Sequence, residues 1–250
     1  MLDYDKEAEA YDSTRGGEPR ALAAADAVLG LVPETARTLL DVACGTGSVT
    51  RRLAAGRPGL RVTGVDAAYG MARLAAARMP GTVALADSRR LPFPDGEFDA
   101  VTTVWLLHLV DGPGDARAVV AECARVLRPG GVYVTTVDKA AAHDVGSDID
   151  AVLAPRPRRP AQDRAERVAS YAVEHGLLPA GRARFRGHGQ GRSPRGTTAD
   201  LRRGWFTQLA PDGPLTEQFI ARLEALPDQE VPRTEPEFTL LAFRRPKSAG

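Results

Sequence analysis

The chain has 250 residues, with 33 Lys and Arg against 32 Asp and Glu and a formal net charge of +1; at 43% hydrophobic and 26% charged it suits one α/β domain or two small ones and excludes a disordered chain. Its two cysteines, Cys44 and Cys123, exclude a disulfide framework and a multi-cysteine zinc site. No apolar run reaches the roughly 18 residues of a membrane helix, and the opening Asp3, Asp5, Glu7 and Glu9 is unlike a secretory signal, so a cytoplasmic protein with no membrane association is expected.

In chain order, Thr38–Val42 is a short apolar run that ends in the glycine-punctuated turn Cys44-Gly45-Thr46-Gly47, and Ser48–Ala55 then reads as a helix. Leu60–Val65 is the next strand, Tyr69–Met79 the next helix and Thr82–Ala86 a third strand. Phe98–Leu106 is a long apolar run suited to a strand buried on both faces. Asp115–Leu127 has helical apolar spacing at Val119, Val120, Ala124 and Leu127, closed by Pro129-Gly130-Gly131, and Val132–Val137 is a fifth strand. Strands alternating with helices argue for βαβ units and a parallel sheet.

After Asp138 the rhythm breaks. Residues 139–163 lack a clear strand, and the run Pro155-Arg156-Pro157-Arg158-Arg159-Pro160 reads as an exposed loop or lid. Arg164–His175 reads as a helix, and Arg182–Gly187 and Phe238–Phe243 as two more strands. Between them lie two amphipathic stretches, Thr198–Leu209 and Leu215–Leu226. Residues 155–204 hold 12 Arg and 4 acids, which reads as a solvated surface in preference to a positive rim over an anionic ligand.

The chemistry centres on Asp41-Val42-Ala43-Cys44-Gly45-Thr46-Gly47. Strand, glycine turn and helix bring backbone N–H groups close to a ligand. A dinucleotide-binding loop would want a third glycine where Thr50 stands, and Asp41 is poor company for a phosphate; it suits a cationic amino group. Asp66, 21 residues after Gly45, ends the second strand, where a carboxylate can accept from both hydroxyls of a ribose. Asp87-Ser88 follows the third strand, where a carboxylate could accept from an adenine amino group. Three acids at the carboxyl ends of consecutive parallel strands mark a ligand crevice.

The stretches Leu39–Gly47, Val62–Asp66, Ala86–Asp99 and Arg125–Gly131, in this order and spacing, resemble the class I S-adenosylmethionine-dependent methyltransferases, and most of all their small-molecule branch of ubiquinone, menaquinone and natural-product enzymes. The segment Tyr4-Asp5 with Tyr11-Asp12-Ser13-Thr14-Arg15 resembles that branch's cofactor-capping helix. The resemblance implies a Rossmann-like seven-stranded sheet of order 3-2-1-4-5-7-6 with the last strand antiparallel. It implies one methyltransferase domain: a helical cap over 1–33, a cofactor-binding core over 34–138, and an acceptor lid with the last strands over 139–250. S-adenosylmethionine would be the cofactor and S-adenosylhomocysteine its product. By the same resemblance the loop Ala43–Gly47 (Ala43, Cys44, Gly45, Thr46, Gly47) packs on the methionine portion, with Asp41 near its ammonium. Asp66 and Ala67 hold the ribose, Met71 lies near the adenine, and Asp87 with Ser88 takes its amino group. Thr103, Val104, Trp105 and Leu106 run beneath the sulfonium with His108 just beyond, and Tyr11 and Arg15 reach the carboxylate. Ala43 stands where many members have glycine and is expected to have little effect.

A neutral alcohol or carbon acid needs a proton removed before methylation. His108 is the first candidate base and His143 the second, with His188 third. Trp205-Phe206 read as lid anchors, and no metal site is expected. A nicotinamide-dependent oxidoreductase conflicts with Thr50 and Asp41. An RNA or DNA methyltransferase would lean on the Arg-rich segment, but Thr102-Thr103-Val104-Trp105 stands where enzymes methylating exocyclic amines usually carry Pro-Pro-aromatic. A non-catalytic S-adenosylmethionine-binding module stays open as an alternative. The partner expected is a small-molecule methyl acceptor.

Overall fold

The computed structural model describes residues 3–206 and 208–247, so Thr207 within the stretch Thr198–Leu209 lies outside the described residues. Helices α1 (Tyr4–Thr14) and α2 (Gly17–Leu29) precede β1 (Thr38–Val42). Then come α3 (Ser48–Gly56), β2 (Arg61–Asp66), α4 (Tyr69–Arg78), β3 (Val83–Leu85), β4 (Phe98–Thr103), α5 (Pro113–Val126) and β5 (Leu127–Val137). The remainder is α6 (Lys139–Ala142), α7 (Asp148–Leu153), α8 (Ala165–Glu174), β6 (Leu178–Arg186), α9 (Pro194–Arg202), α10 (Pro214–Glu224) and β7 (Glu237–Arg244).

The strands form one seven-stranded sheet in the order β3-β2-β1-β4-β5-β7-β6. β1 to β5 pair in parallel, and β7 runs antiparallel to both β5 and β6. This is the Rossmann-like order that the resemblance implies. Successive side chains of β1 alternate faces: Leu40 and Val42 enter one apolar cluster with α5 and α8, and Leu39 enters another with α2 and α3. Both faces are therefore covered, and the strand order reverses between β1 and β4, where a crevice opens at the carboxyl ends. A third cluster joins Ile149, Val152 and Leu153 of α7 to Leu201 of α9 and Phe219, Ile220 and Leu223 of α10. The segments after β5 thus have a small core of their own. Among the described residues no helix is long and apolar enough to cross a membrane.

Three local expectations change. The run Phe98–Leu106 is strand only to Thr103, because Trp105 takes φ +59°, turning the chain, and its N–H donates to Thr136 Oγ1 at 2.7 Å instead of extending the ladder. Pro129-Gly130-Gly131 does not separate helix from strand: β5 already pairs at Leu127 with Phe98, and the extra residues are absorbed as an irregularity between Phe98 and Ala100. The lid is not all loop. Ser147 and Asp150 form a reciprocal capping box that starts α7. Six arginines of the Arg-rich segment pair with acids from elsewhere in the chain: Arg159–Asp111, Arg184–Glu237, Arg186–Glu235, Arg192–Asp150, Arg195–Glu230 and Arg202–Glu217.

Candidate functional site

The carboxyl ends of β1, β2 and β4 open onto a cavity of about 390 Å³. Its floor is the loop after β1. Ala43, Gly45 and Gly47 all have positive φ, at 59°, 57° and 79°. Two of the three are glycines, as this backbone prefers, while Ala43 pays a steric cost there, so the Gly-to-Ala departure is not neutral. The loop is pinned on both sides. Cys44 N–H donates to Val65 O at 2.9 Å, and at Gly64 a Cβ would lie 3.0 Å from Cys44 Sγ.

Asp66 organises two turns. One carboxylate oxygen accepts Gly45 N–H at 2.8 Å and the other Ala68 N–H at 2.9 Å. Burial nevertheless raises its pKa above the ordinary carboxylate value, these backbone bonds offsetting only part of the effect. Asp41 is 2% exposed and accepts Thr50 Oγ1 at 2.6 Å. Burial pushes its pKa up to about 7, with the Asp66 charge adding to the rise. Neither acid has a cationic side chain within 4.0 Å among the described residues. A wall with uncompensated negative charge suits a cationic ligand group. Asp87 differs: it is exposed, and bonds from the Arg89 side chain (2.7 Å) and N–H (2.8 Å) hold its pKa below the ordinary value. Arg89 also bridges to Asp115 at 3.1 Å.

Helix α1 caps this floor. Asp12 accepts Thr46 Oγ1 at 2.7 Å and pairs with Arg78 at 2.7 Å, and Asp5 accepts Gly70 N–H at 2.6 Å. Tyr11 and Arg15 then line the cavity, with the Arg15 guanidinium 3.3 Å above the Trp205 ring. Arg20 of α2 lines it too: its guanidinium lies 3.5 Å over the Trp105 ring, and Nη1 donates to Arg15 O at 2.9 Å. On its other side Trp105 packs edge-on against Phe185 and Phe238.

Of the expected cofactor residues, Tyr11, Arg15, Asp41, Ala43, Cys44, Gly45, Thr46, Asp66, Ala67, Met71, Asp87, Ser88, Val104 and Trp105 share this cavity. Gly47, Thr103 and His108 do not line it. Gly47 packs instead against α4, where an added Cβ would lie 3.0 Å from Ala75 Cβ. The Thr103 hydroxyl is bonded at 2.7 Å to both Tyr133 OH and Thr135 Oγ1. His108 Nε2 lies 2.9 Å from Lys139 Nζ, and its Nδ1 has no partner. His143 stands edge-on to Phe238 outside the cavity. Burial, then the Lys139 charge, holds both imidazoles well below the usual histidine range, so both are neutral at pH 7. His188 pairs with Glu235 at 3.5 Å.

The sequence reading missed Arg20, Tyr4, Asp12, Ser48 and Arg89, which line the cavity, and Lys139, which contacts His108. Tyr4 and Asp12 sat inside a motif already singled out. Lys139 had a weak signal as one of three lysines in the chain, directly after the fifth strand. Arg20 had none.

Residues 40–135 match a family model described as a methyltransferase domain. An uncharacterised methyltransferase of Mycobacterium tuberculosis is 38% identical over 131 residues, 52% of this chain and 49% of that protein. A ubiquinone/menaquinone biosynthesis C-methyltransferase of Desulfotalea psychrophila is 41% identical over 96 residues, 37% and 38% of the two chains. The chain thus covers about half or less of the length of these curated relatives. Among solved structures, the [4+2]-cyclase SpnF superposes with TM-score 0.64 at 21% identity, covering 98% and 94% of the two chains. A methyltransferase-like protein of Bacillus halodurans gives 0.58 at 18% identity, covering 90% and 99%. Residues 40–135 therefore resemble a methyltransferase domain, and the chain has the Rossmann-like fold of the class I S-adenosylmethionine-dependent methyltransferases, with similarity to their small-molecule branch.

Proposed function

We propose that this chain transfers a methyl group from S-adenosylmethionine to O, N or C of a small organic acceptor, leaving S-adenosylhomocysteine. The observation that carries the reading is the set Asp41, Asp66 and Asp87, at or just past the carboxyl ends of three neighbouring strands and lining one cavity with an open glycine loop. The residues fit the cofactor. Asp41 lacks a counter-charge and suits the ammonium; Asp66 suits the ribose hydroxyls, with Ala67 beside it and Met71 toward the adenine. Asp87 and the Ser88 backbone suit the adenine amino group, with the Asp87 carboxylate shared with Arg89. Tyr11 and Arg15 suit the cofactor's carboxylate, and Val104 and Trp105 the sulfonium side.

When bound, the sulfonium supplies a methyl carbon already activated for displacement, the electron pair of the broken C–S bond staying on sulfur. The chain's own work is then alignment and exclusion of water. The loop after β1 orients the donor through backbone groups, and α1, tied down by Asp12 and Asp5, roofs it. The expected bases His108 and His143 lie outside the cavity, and burial lowers the basicity of both, so alignment of donor and acceptor without a histidine base carries the proposed transfer.

Isothermal titration with S-adenosylmethionine, S-adenosylhomocysteine and NAD tests the reading. Binding of both sulfur nucleotides near 1 µM, about −8 kcal/mol, with none of NAD, is expected. Binding of NAD alone overturns the assignments of Asp41 and Asp87 and makes the protein an oxidoreductase candidate.

A further inference from the structure

The turn between α1 and α2 carries Arg15 into the cavity, and the chain after β6 grips that turn from outside. The grip has three parts. Gly16, at φ +85°, and Gly189, at φ +68°, cross so closely that a Cβ on Gly189 would lie 2.7 Å from Gly16 Cα, and one on Gly16 would run into His188 O. Only glycines allow the two backbones this approach. The Arg15 guanidinium lies 3.3 Å above the Trp205 ring, and its Nη2 is 3.9 Å from Asp200 Oδ1. Trp205 N–H donates to Asp200 O at 3.0 Å, so both residues sit on one turn at the end of α9. On the inner side Arg20 Nη1 donates to Arg15 O at 2.9 Å. Arg15 lines the cavity, whereas Trp205 and Asp200 do not.

These contacts aim the Arg15 side chain and leave it incomplete. Asp200 is held more closely by Arg203, at 2.7 Å, and Arg15 Nε is buried with no partner among the described residues. A ring face restrains the plane of a guanidinium without using its N–H donors, which stay available for an anion. A long side chain stacked before its ligand arrives has less freedom left to lose on binding. We infer that Trp205, with Asp200 beside it, is a positioning residue for Arg15, so that the lid segment after β6 completes the cofactor site by holding Arg15 for the cofactor's carboxylate. The inference rests on the methyltransferase reading and on Arg15 meeting that carboxylate. It makes cofactor binding and lid closure one linked equilibrium. Opening of α9 and its turn releases Arg15, so a bound carboxylate holds the lid shut as much as the lid helps to hold the carboxylate.

Calorimetry with two ligands tests the inference: S-adenosylhomocysteine, and 5′-methylthioadenosine, which keeps the nucleoside and the thioether but lacks the amino-acid portion. Trp205→Ala should weaken S-adenosylhomocysteine about tenfold or more and leave 5′-methylthioadenosine unchanged. Trp205→Phe keeps a ring face and should bind both ligands as the parent does. Arg15→Met should discriminate between the ligands as Trp205→Ala does. Trp205→Ala added to Arg15→Met should cost nothing further, because Trp205 acts through Arg15. Equal loss of both ligands gives Trp205 a purely structural role and overturns the inference. So does unchanged S-adenosylhomocysteine affinity in either single variant, or a further loss in the double variant. Hydrogen exchange on the parent protein keeps the test open if Trp205→Ala does not fold. Amides of Thr198–Trp205 should exchange more slowly with S-adenosylhomocysteine bound than with 5′-methylthioadenosine at equal saturation, and equal protection by the two overturns the inference. If the parent binds neither ligand, the methyltransferase reading falls and the inference falls with it. If the parent binds both and no variant tells them apart, the inference alone falls.

Discussion

At the end of the cavity built on β1, β2 and β3, Asp41, Asp66 and Asp87 each follow directly from the strand that carries them, and their partners lie nearby in sequence: Thr50 for Asp41, Ala68 for Asp66, Arg89 for Asp87. By contrast, Arg15, Arg20, Lys139 and Arg192 come from four segments spread over most of the chain, and most of their partners are distant: Asp200 for Arg15, Asp150 for Arg192 and His108 for Lys139. The acidic end is a property of the βαβ repeat. The distant pairings exist only once the N-terminal helices and the segments after β5 have folded onto the sheet.

Substitutions in the two groups should separate them. Asp66→Ala removes the carboxylate that holds Gly45 and Ala68 and, with it, the proposed ribose contact. It should weaken S-adenosylhomocysteine at least tenfold, about 1.4 kcal/mol or more, in a calorimetric titration. Unchanged affinity would remove Asp66 from the site.

The buried charges should give opposite pH slopes. The folded pKa of Asp41, about 7, lies above the ~3.9 of an unfolded carboxyl, so the native state holds the extra proton between them. Stability then falls as pH rises from about 4 to about 7. Asp41→Asn should abolish that slope and gain on the order of 1–2 kcal/mol at pH 8, read by urea unfolding of the ligand-free protein. For Lys139 the folded value, about 7, lies below the unfolded ~10.4, so the unfolded chain holds the extra proton and stability rises from about pH 7 to about pH 10. K139M should stabilise by a similar amount at pH 7 and below, with the gain fading above pH 10. Flat profiles in the parent protein would mean that water reaches both groups.

A smaller effect is expected at Ala43. Glycine relieves the left-handed backbone there at some cost in chain entropy, a net gain of a few tenths to about 1 kcal/mol. Ala43→Gly should therefore raise the melting temperature by about 1–3 °C. The exposed pair Arg184–Glu237 should matter least. Removing both side chains should change stability by less than about 0.5 kcal/mol, because solvent and salt screen it.

The alternating β and α segments to Val137 and the acidic floor were legible because each depends on contacts within a few dozen residues, whereas the sheet order, with pairs such as Leu39–Ala100 and Val132–Arg244, came only through the family resemblance. The apolar run of β1 must be buried on both faces, the glycines must follow it, and a carboxylate at its end must meet the ligand. The same local logic misread Phe98–Leu106 and Pro129-Gly130-Gly131. Whether Val104 and Trp105 extend a strand depends on Thr136 across the sheet and on Phe185 and Phe238 beyond it. The histidines show the limit most directly. Sequence position named His108 as a base, but its neutrality comes from burial and from Lys139, 31 residues away. The fold class and the acidic residues of the crevice could be read from the chain alone, because strand periodicity and turn chemistry are local. Only the tertiary structure decided which charges are left without partners, because pairing and desolvation depend on what the folded chain brings alongside each group.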